Sequence, residues 1–121
     1  MSVSCIIPAY NEAARIAAVL EQVRAHPLID EVIVVDDGST DGTAKAMAQF
    51  ADRINYVQKV NGGACSARNE GIRRATGEIV CFLDCDDLYL PDKVEMGVRY
   101  LQNHPEKGFL HTAAYFIDDQ D

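Results

Sequence analysis

Three runs of this chain, Val3 to Pro8, Glu31 to Asp36 and Glu78 to Asp84, are apolar at consecutive positions instead of alternating with polar ones. A strand with one wet face alternates, whereas a strand covered on both faces does not. The runs therefore predict strands of a parallel sheet held between helical layers. Ile54 to Val57 and Phe109 to Phe116 are also short and rich in β-branched or aromatic residues, and they read as further strands.

Helical spacing fills the gaps. Ile16, Val19, Leu20 and Val23 form one stripe, with Asn11 placed to cap and Glu12 in the first turn. Ala44, Met47, Ala48 and Ala51 form a second. Ala64, Ala67, Gly71, Ile72 and Ala75 form a third, thin one that permits close approach to a sheet, with Gly77 as a stop. A fourth starts at Pro91 and turns Val94, Val98 and Leu101 inward. The order βαβαβαβαβ implies right-handed crossovers and an α/β fold: an open, mainly parallel, Rossmann-like sheet with helices on both faces. With 121 residues and 48% hydrophobic content, one domain and one core are expected.

Charge and cysteines narrow the partners. A net charge of -8, from 19 acidic and 11 basic residues, disfavours nucleic acid and a polybasic membrane anchor. Cys5, Cys65, Cys81 and Cys85 show no C-x-x-C spacing, so packing in a reducing compartment is expected rather than zinc binding. No basic-apolar leader and no apolar stretch of bilayer length is present. A cytoplasmic location is expected, or a membrane-peripheral one for a longer protein.

Chemistry concentrates at strand ends. Asp84-Cys85-Asp86-Asp87 places three carboxylates after the run Ile79 to Leu83. Two carboxylates in contact repel by roughly 4 kcal/mol near a protein surface, so such a trio calls for a cation, a proton or donors. A hard divalent ion, Mg²⁺ or Mn²⁺, is the natural partner, and such ions join carboxylates to substrate phosphates. The same aspartates could instead only turn the chain and cap a helix.

Ligands of open α/β sheets bind beyond the carboxyl ends of strands, where strand order reverses. For the order 3-2-1-4 that point lies between the first and fourth strands. Tyr10 could stack there on a planar base or serve as a loop aromatic. Asp36 and Asp37 could accept from a base or ribose, or act as turn and cap residues, the role that suits Asp41. Asn61-Gly62-Gly63 opens the third helix and could offer N–H groups to an anion, or simply turn the chain. Arg68 could meet a phosphate or base, while Arg73 and Arg74 read as solvent-facing.

Four segments in order, VSCIIPAYNE (3–12), VVDDGSTDGT (34–43), NGGACSARNEG (61–71) and GEIVCFLDCDDLYLPD (77–92), resemble a family 2 glycosyltransferase, in its nucleotide-sugar-binding GT-A half. The resemblance implies that Pro8, Ala9, Tyr10 and Glu12 line the base and ribose pocket, with Asp37 or Asp36 on the uracil edge. It places Arg68 near the nucleotide and makes Asp84-Cys85-Asp86 the D-x-D element. Asp86 would hold Mg²⁺ or Mn²⁺, Asp84 would be shared between ribose and metal, and Cys85 would replace a small, non-liganding residue. The donor would be a nucleotide sugar, UDP-linked by family habit, and the acceptor a saccharide, lipid-linked or other hydroxyl. Transfer would invert the anomeric centre.

The family's general base matches none of Asp118, Asp119 and Asp121, and it is expected beyond Asp121. Residues 1–121 then read as the donor-binding part of a larger enzyme, inactive alone and able to self-associate through surface the remainder would cover. The rival readings are a binding fragment without catalysis and a haloacid-dehalogenase-like phosphohydrolase. The latter wants its D-x-D after the first strand, not the fourth.

Overall fold

The computed structural model describes residues 1–118 and Gln120. Of the acidic tail, Asp119 and Asp121 lie outside the described residues. In chain order the elements are β1 (Val3–Ala9), α1 (Ile16–Arg24), β2 (Glu31–Asp36), α2 (Thr43–Met47) with a 3₁₀ turn at Ala48–Phe50, β3 (Asn55–Gln58), α3 (Ala64–Arg74), β4 (Ile79–Phe82) and α4 (Lys93–Asn103). The sheet order is β3-β2-β1-β4, and every pairing is parallel.

Burial on both faces explains the unbroken apolar runs of β1 and β2, whereas β4 is the sheet edge, only half-buried and with Phe82 exposed. Cys5, Ile7, Val32 and Val34 pack with Ile16, Val19, Leu20 and Val23 of α1 on one face. Ile33 and Val35 pack against Ala67 of α3 on the other. Of the stripe predicted for α3 only Ala67 and Gly71 are buried, and Ala64 and Ile72 are exposed. A Cβ on Gly71 would stand 2.4 Å from Ile6 Cγ2, so the helix reaches the sheet only because position 71 has no side chain.

Three further expectations need correction. The buried stripe after β2 is Thr43, Met47 and Phe50, while Ala44, Ala48 and Ala51 are exposed. The larger side chains turn inward because they fill the space beside β2, and the helix tightens to 3₁₀ to keep Phe50 on that face. Helix α1 begins at Ile16, and Asn11 does not cap it. Asn11 instead sits at φ 54° and binds a neighbouring loop: its Oδ1 accepts the N–H groups of Thr40 at 2.8 Å and Asp41 at 3.3 Å.

The predicted last strand, Phe109 to Phe116, does not form. Strand structure needs a neighbour to receive its N–H and C=O groups. β4 ends the sheet, and residues 109–116 instead run past α4, where Lys93 Nζ donates to Thr112 Oγ1 at 3.1 Å. Phe109 and Phe116 are left 80% and 104% exposed. Among the described residues no helix is long and apolar enough to cross a membrane.

Gly71 makes the fold testable. In a helix interior Gly→Ala gains about 1 kcal/mol of propensity, but overpacking against a fixed core costs about 1–3 kcal/mol. Gly71→Ala should therefore lose stability in urea unfolding, by on the order of 1 kcal/mol.

Candidate functional site

The parallel register delivers the strand ends to one rim. Ala9 lies beside Asp36, and Ile6 lies beside Phe82. The ladders continue one step further, with Asp37 N–H donating to Ala9 O at 2.8 Å and Lys59 N–H to Asp36 O at 2.9 Å. Beyond that rim opens a cavity of about 320 Å³. Pro8, Ala9, Tyr10, Glu12, Asp37, Arg68, Asp84, Cys85 and Asp86 line it, together with Asn61, Gly63 and neighbouring residues of α3. The Tyr10 ring stands at the mouth, 52% exposed, where a planar ligand could stack on it.

The two adjacent aspartates have separate fates. Asp36 is 2% exposed and does not line the cavity. Its Oδ1 accepts Ser39 N–H at 2.9 Å, and its Oδ2 accepts the Tyr56 hydroxyl. Burial and that carboxylate push the Tyr56 phenol up to about 12, so it stays a donor. Asp36 is thus a packing and turn residue and no candidate for the base edge. Strand alternation sends adjacent side chains to opposite sides, so only Asp37 reaches the cavity.

Asp37 is a crowded acceptor. Its Oδ1 takes Lys59 Nζ at 3.1 Å and Gly62 N–H at 3.0 Å, and its Oδ2 takes Gly63 N–H at 2.8 Å. Burial pushes the carboxyl up, but the two amides and the ammonium outweigh it and hold Asp37 below its ordinary value. The N–H groups of Gly62 and Gly63, considered above for an anion, are consumed by this carboxylate. Gly38 adopts φ +82° beside Asn61, which lets the chain leave β2 against that loop.

On the opposite wall, ligand oxygens of Asp84, Asp86 and Asp87 lie within 4.8 Å of one another. Arg68 spans the cavity from α3, and its Nη2 donates to both Asp84 oxygens at 2.9 and 3.0 Å. Burial, then Asp86 and Asp84, push the Asp87 carboxyl up, against the pull of Arg68. Hard oxygen donors this close, with one proton affinity already raised by burial and repulsion, fit a divalent cation. Asp86 and Asp87 would hold it, with Asp84 in reach but already matched by Arg68. Cys85 turns the other way: it is buried, its Sγ faces Pro8 O at 3.7 Å, and burial and the flanking carboxylates raise its thiol to about 12. It ties the acidic loop to the end of β1.

The structure brings together the carboxylate trio that the sequence singled out, Asp84, Asp86 and Asp87. One participant, Lys59, was not legible in the motifs. Lys59 lies 22 residues from Asp37. Pairing the ends of the second and third strands, Asp36 with Gln58, would have revealed it. Arg73 and Arg74 reach Glu70 at 2.7 and 2.8 Å, away from the site.

Residues 4–121 match the sequence pattern of Glycosyl transferase family 2. The chain belongs to that family. It is 38% identical to the uncharacterized glycosyltransferase RT0329 of Rickettsia typhi, over 98% of this chain and 37% of that relative. Among solved structures it resembles the mannosyltransferase PcManGT of Pyrobaculum calidifontis in complex with GDP-Man and Mn²⁺, with a TM-score of 0.74 and 35% identity over 82% of this chain and 32% of that one. It also resembles S. aureus TarS 1-349 in complex with UDP-GlcNAc, with a TM-score of 0.73 and 29% identity over 87% of this chain and 32% of that one. The fold is that of the GT-A glycosyltransferases. The chain spans only part of the relatives it matches, 37% of RT0329 and 17% of a glycosyltransferase of Rickettsia bellii.

The depressed Asp37 carboxyl sets a pH dependence. A carboxyl whose folded value lies below its unfolded one stabilises the native state fully above the unfolded value, and loses that contribution as pH falls through the folded value. Asp37→Asn should lower the thermal midpoint at neutral pH. The difference from wild type should shrink as pH falls through and below the ordinary carboxylate range near 3.8.

Proposed function

We propose that this chain binds a UDP-sugar together with Mg²⁺ or Mn²⁺ as the donor-binding part of an inverting glycosyltransferase. One observation carries the reading: residues from four separated segments, Tyr10, Asp37, Arg68 and Asp86 among them, line a single cavity at the strand ends. Family membership, a structural neighbour holding UDP-GlcNAc and another holding GDP-Man and Mn²⁺ support a nucleotide-sugar site, and the choice of UDP is the finer part of the proposal. They also favour it over a phosphohydrolase, whose D-x-D would follow the first strand.

In this reading Tyr10 stacks on the base and Asp37 accepts its N–H, while Asp84, steadied by Arg68, faces the ribose. Asp86, in the D-x-D position, and Asp87 hold the ion. When bound, a divalent ion supplies positive charge beside the departing diphosphate. The acceptor hydroxyl oxygen attacks C1 of the sugar as the C1–O bond to the diphosphate breaks, and the bonding pair leaves with the diphosphate. The hydroxyl proton passes to a general base. That base and the acceptor site belong to the part of such an enzyme that this chain does not span.

Calorimetry tests this directly. UDP should bind about tenfold or more tightly with Mn²⁺ or Mg²⁺ than with chelator, a difference of about 1.4 kcal/mol. Asp86→Ala should abolish that difference while leaving the metal-free affinity in place. Equal affinity with and without the ion in the wild-type chain would remove the metal from the proposal.

A further inference from the structure

The Asp37 carboxylate faces the cavity with almost no accepting capacity left. An ionised carboxylate offers about four lone-pair sites. On Oδ1 they are taken by Lys59 Nζ and Gly62 N–H, and on Oδ2 one is taken by Gly63 N–H. Asp37 is 4% exposed, so water does not freely replace these donors. One site remains, on Oδ2. The neighbouring Asp36 offers no substitute, because its oxygens serve Ser39 and Tyr56 on the other side of the strand.

The donors differ in kind. Gly62 and Gly63 are backbone, and their loop is fastened again by Asn61 Nδ2 donating to Asp37 O at 2.9 Å. Lys59 is a side chain, held in place by its Nζ donating also to Val60 O at 2.7 Å. Lys59 is therefore the one donor to Asp37 that a substitution can remove without disturbing the chain's turn.

We propose that Lys59 is a specificity-determining positioning residue: by filling an Oδ1 site it leaves Asp37 able to accept one N–H, which favours a base with a single ring N–H, as in uracil, over one with adjacent N–H donors, as in guanine. A guanine edge, with its ring N–H beside an exocyclic amine, pairs with a carboxylate through both oxygens and needs a free site on each. Uracil presents one ring N–H between two carbonyls and needs one site. This inference rests on the reading of the cavity as a nucleotide site. It adds the residue that would set the choice of base.

The experiment compares UMP and GMP affinity by calorimetry in the presence of chelator, so that the acidic cluster plays no part. Wild type should prefer UMP. Lys59→Met, which keeps the apolar stem, should narrow the UMP-to-GMP ratio by about tenfold, the worth of one hydrogen bond to a charged group. Lys59→Arg, which keeps a charged donor, should hold the ratio near wild type, and it remains informative if Lys59→Met fails to fold by circular dichroism. An unchanged ratio in Lys59→Met, or equal losses for both nucleotides, would overturn the inference and leave Lys59 a purely structural cation. A collapsed ratio in Lys59→Arg would overturn it too, with the donor-site reading intact. Wild-type preference for GMP would overturn it together with the choice of UDP, leaving only a nucleotide-sugar site. Wild type binding neither nucleotide would overturn the donor-site reading itself.

Discussion

β1 lies between two parallel neighbours, and from Val3 to Ile7 it shows almost nothing to water. That burial depends on register, since a slip of one residue would exchange the side chains facing α1 with those facing α3. Register in turn places the ends of β1, β2 and β4 on one rim, and the cavity exists because those ends coincide. The close contact of Gly71 with Ile6 sets the depth of α3 over the same strand. Arg68, one turn earlier on that helix, is thereby brought to Asp84.

A chain of net charge -8 gathers carboxylates at this rim, and each is balanced differently. Asp36 is buried and served by a phenol and an amide. Asp37 is served by an ammonium and two amides, and Asp84 by a guanidinium. Asp86 and Asp87 are left to repel each other, and burial together with that repulsion raises the Asp87 carboxyl. This gradation follows from access: backbone amides and long cations reach the base of the cavity, and the outermost carboxylates project past them. An added divalent ion would complete the series at the place where the protein itself supplies least positive charge.

The polar loops are as specified as the core. Asn11 accepts from Thr40 and Asp41, and its own N–H donates to Ser39 Oγ at 2.8 Å. Ala13 N–H donates to Asp41 Oδ2 at 3.2 Å. These bonds join the loops after β1 and β2, so the segment carrying Tyr10 and Glu12 is anchored to the segment carrying Asp37. Positioning of the cavity wall thus rests on side chain to backbone bonds where no ladder is available.

Local pattern alone determined the four strands of the sheet, their parallel order and most of the rim, because consecutive apolar positions and strand-end motifs are properties of neighbours in sequence. The four segments that resemble the family are such neighbours, and Tyr10, Asp37, Arg68 and Asp86 were legible in them. Tertiary structure decided what depends on distant partners. It separated Asp36 from Asp37 by the side of the strand each faces, and brought Lys59 to Asp37 through the pairing of β2 with β3. It kept Met47 in the buried stripe but replaced Ala44, Ala48 and Ala51 with Thr43 and Phe50, where there was space to fill. It left Phe109 to Phe116 unpaired, since a strand is a relation between two segments and propensity describes only one.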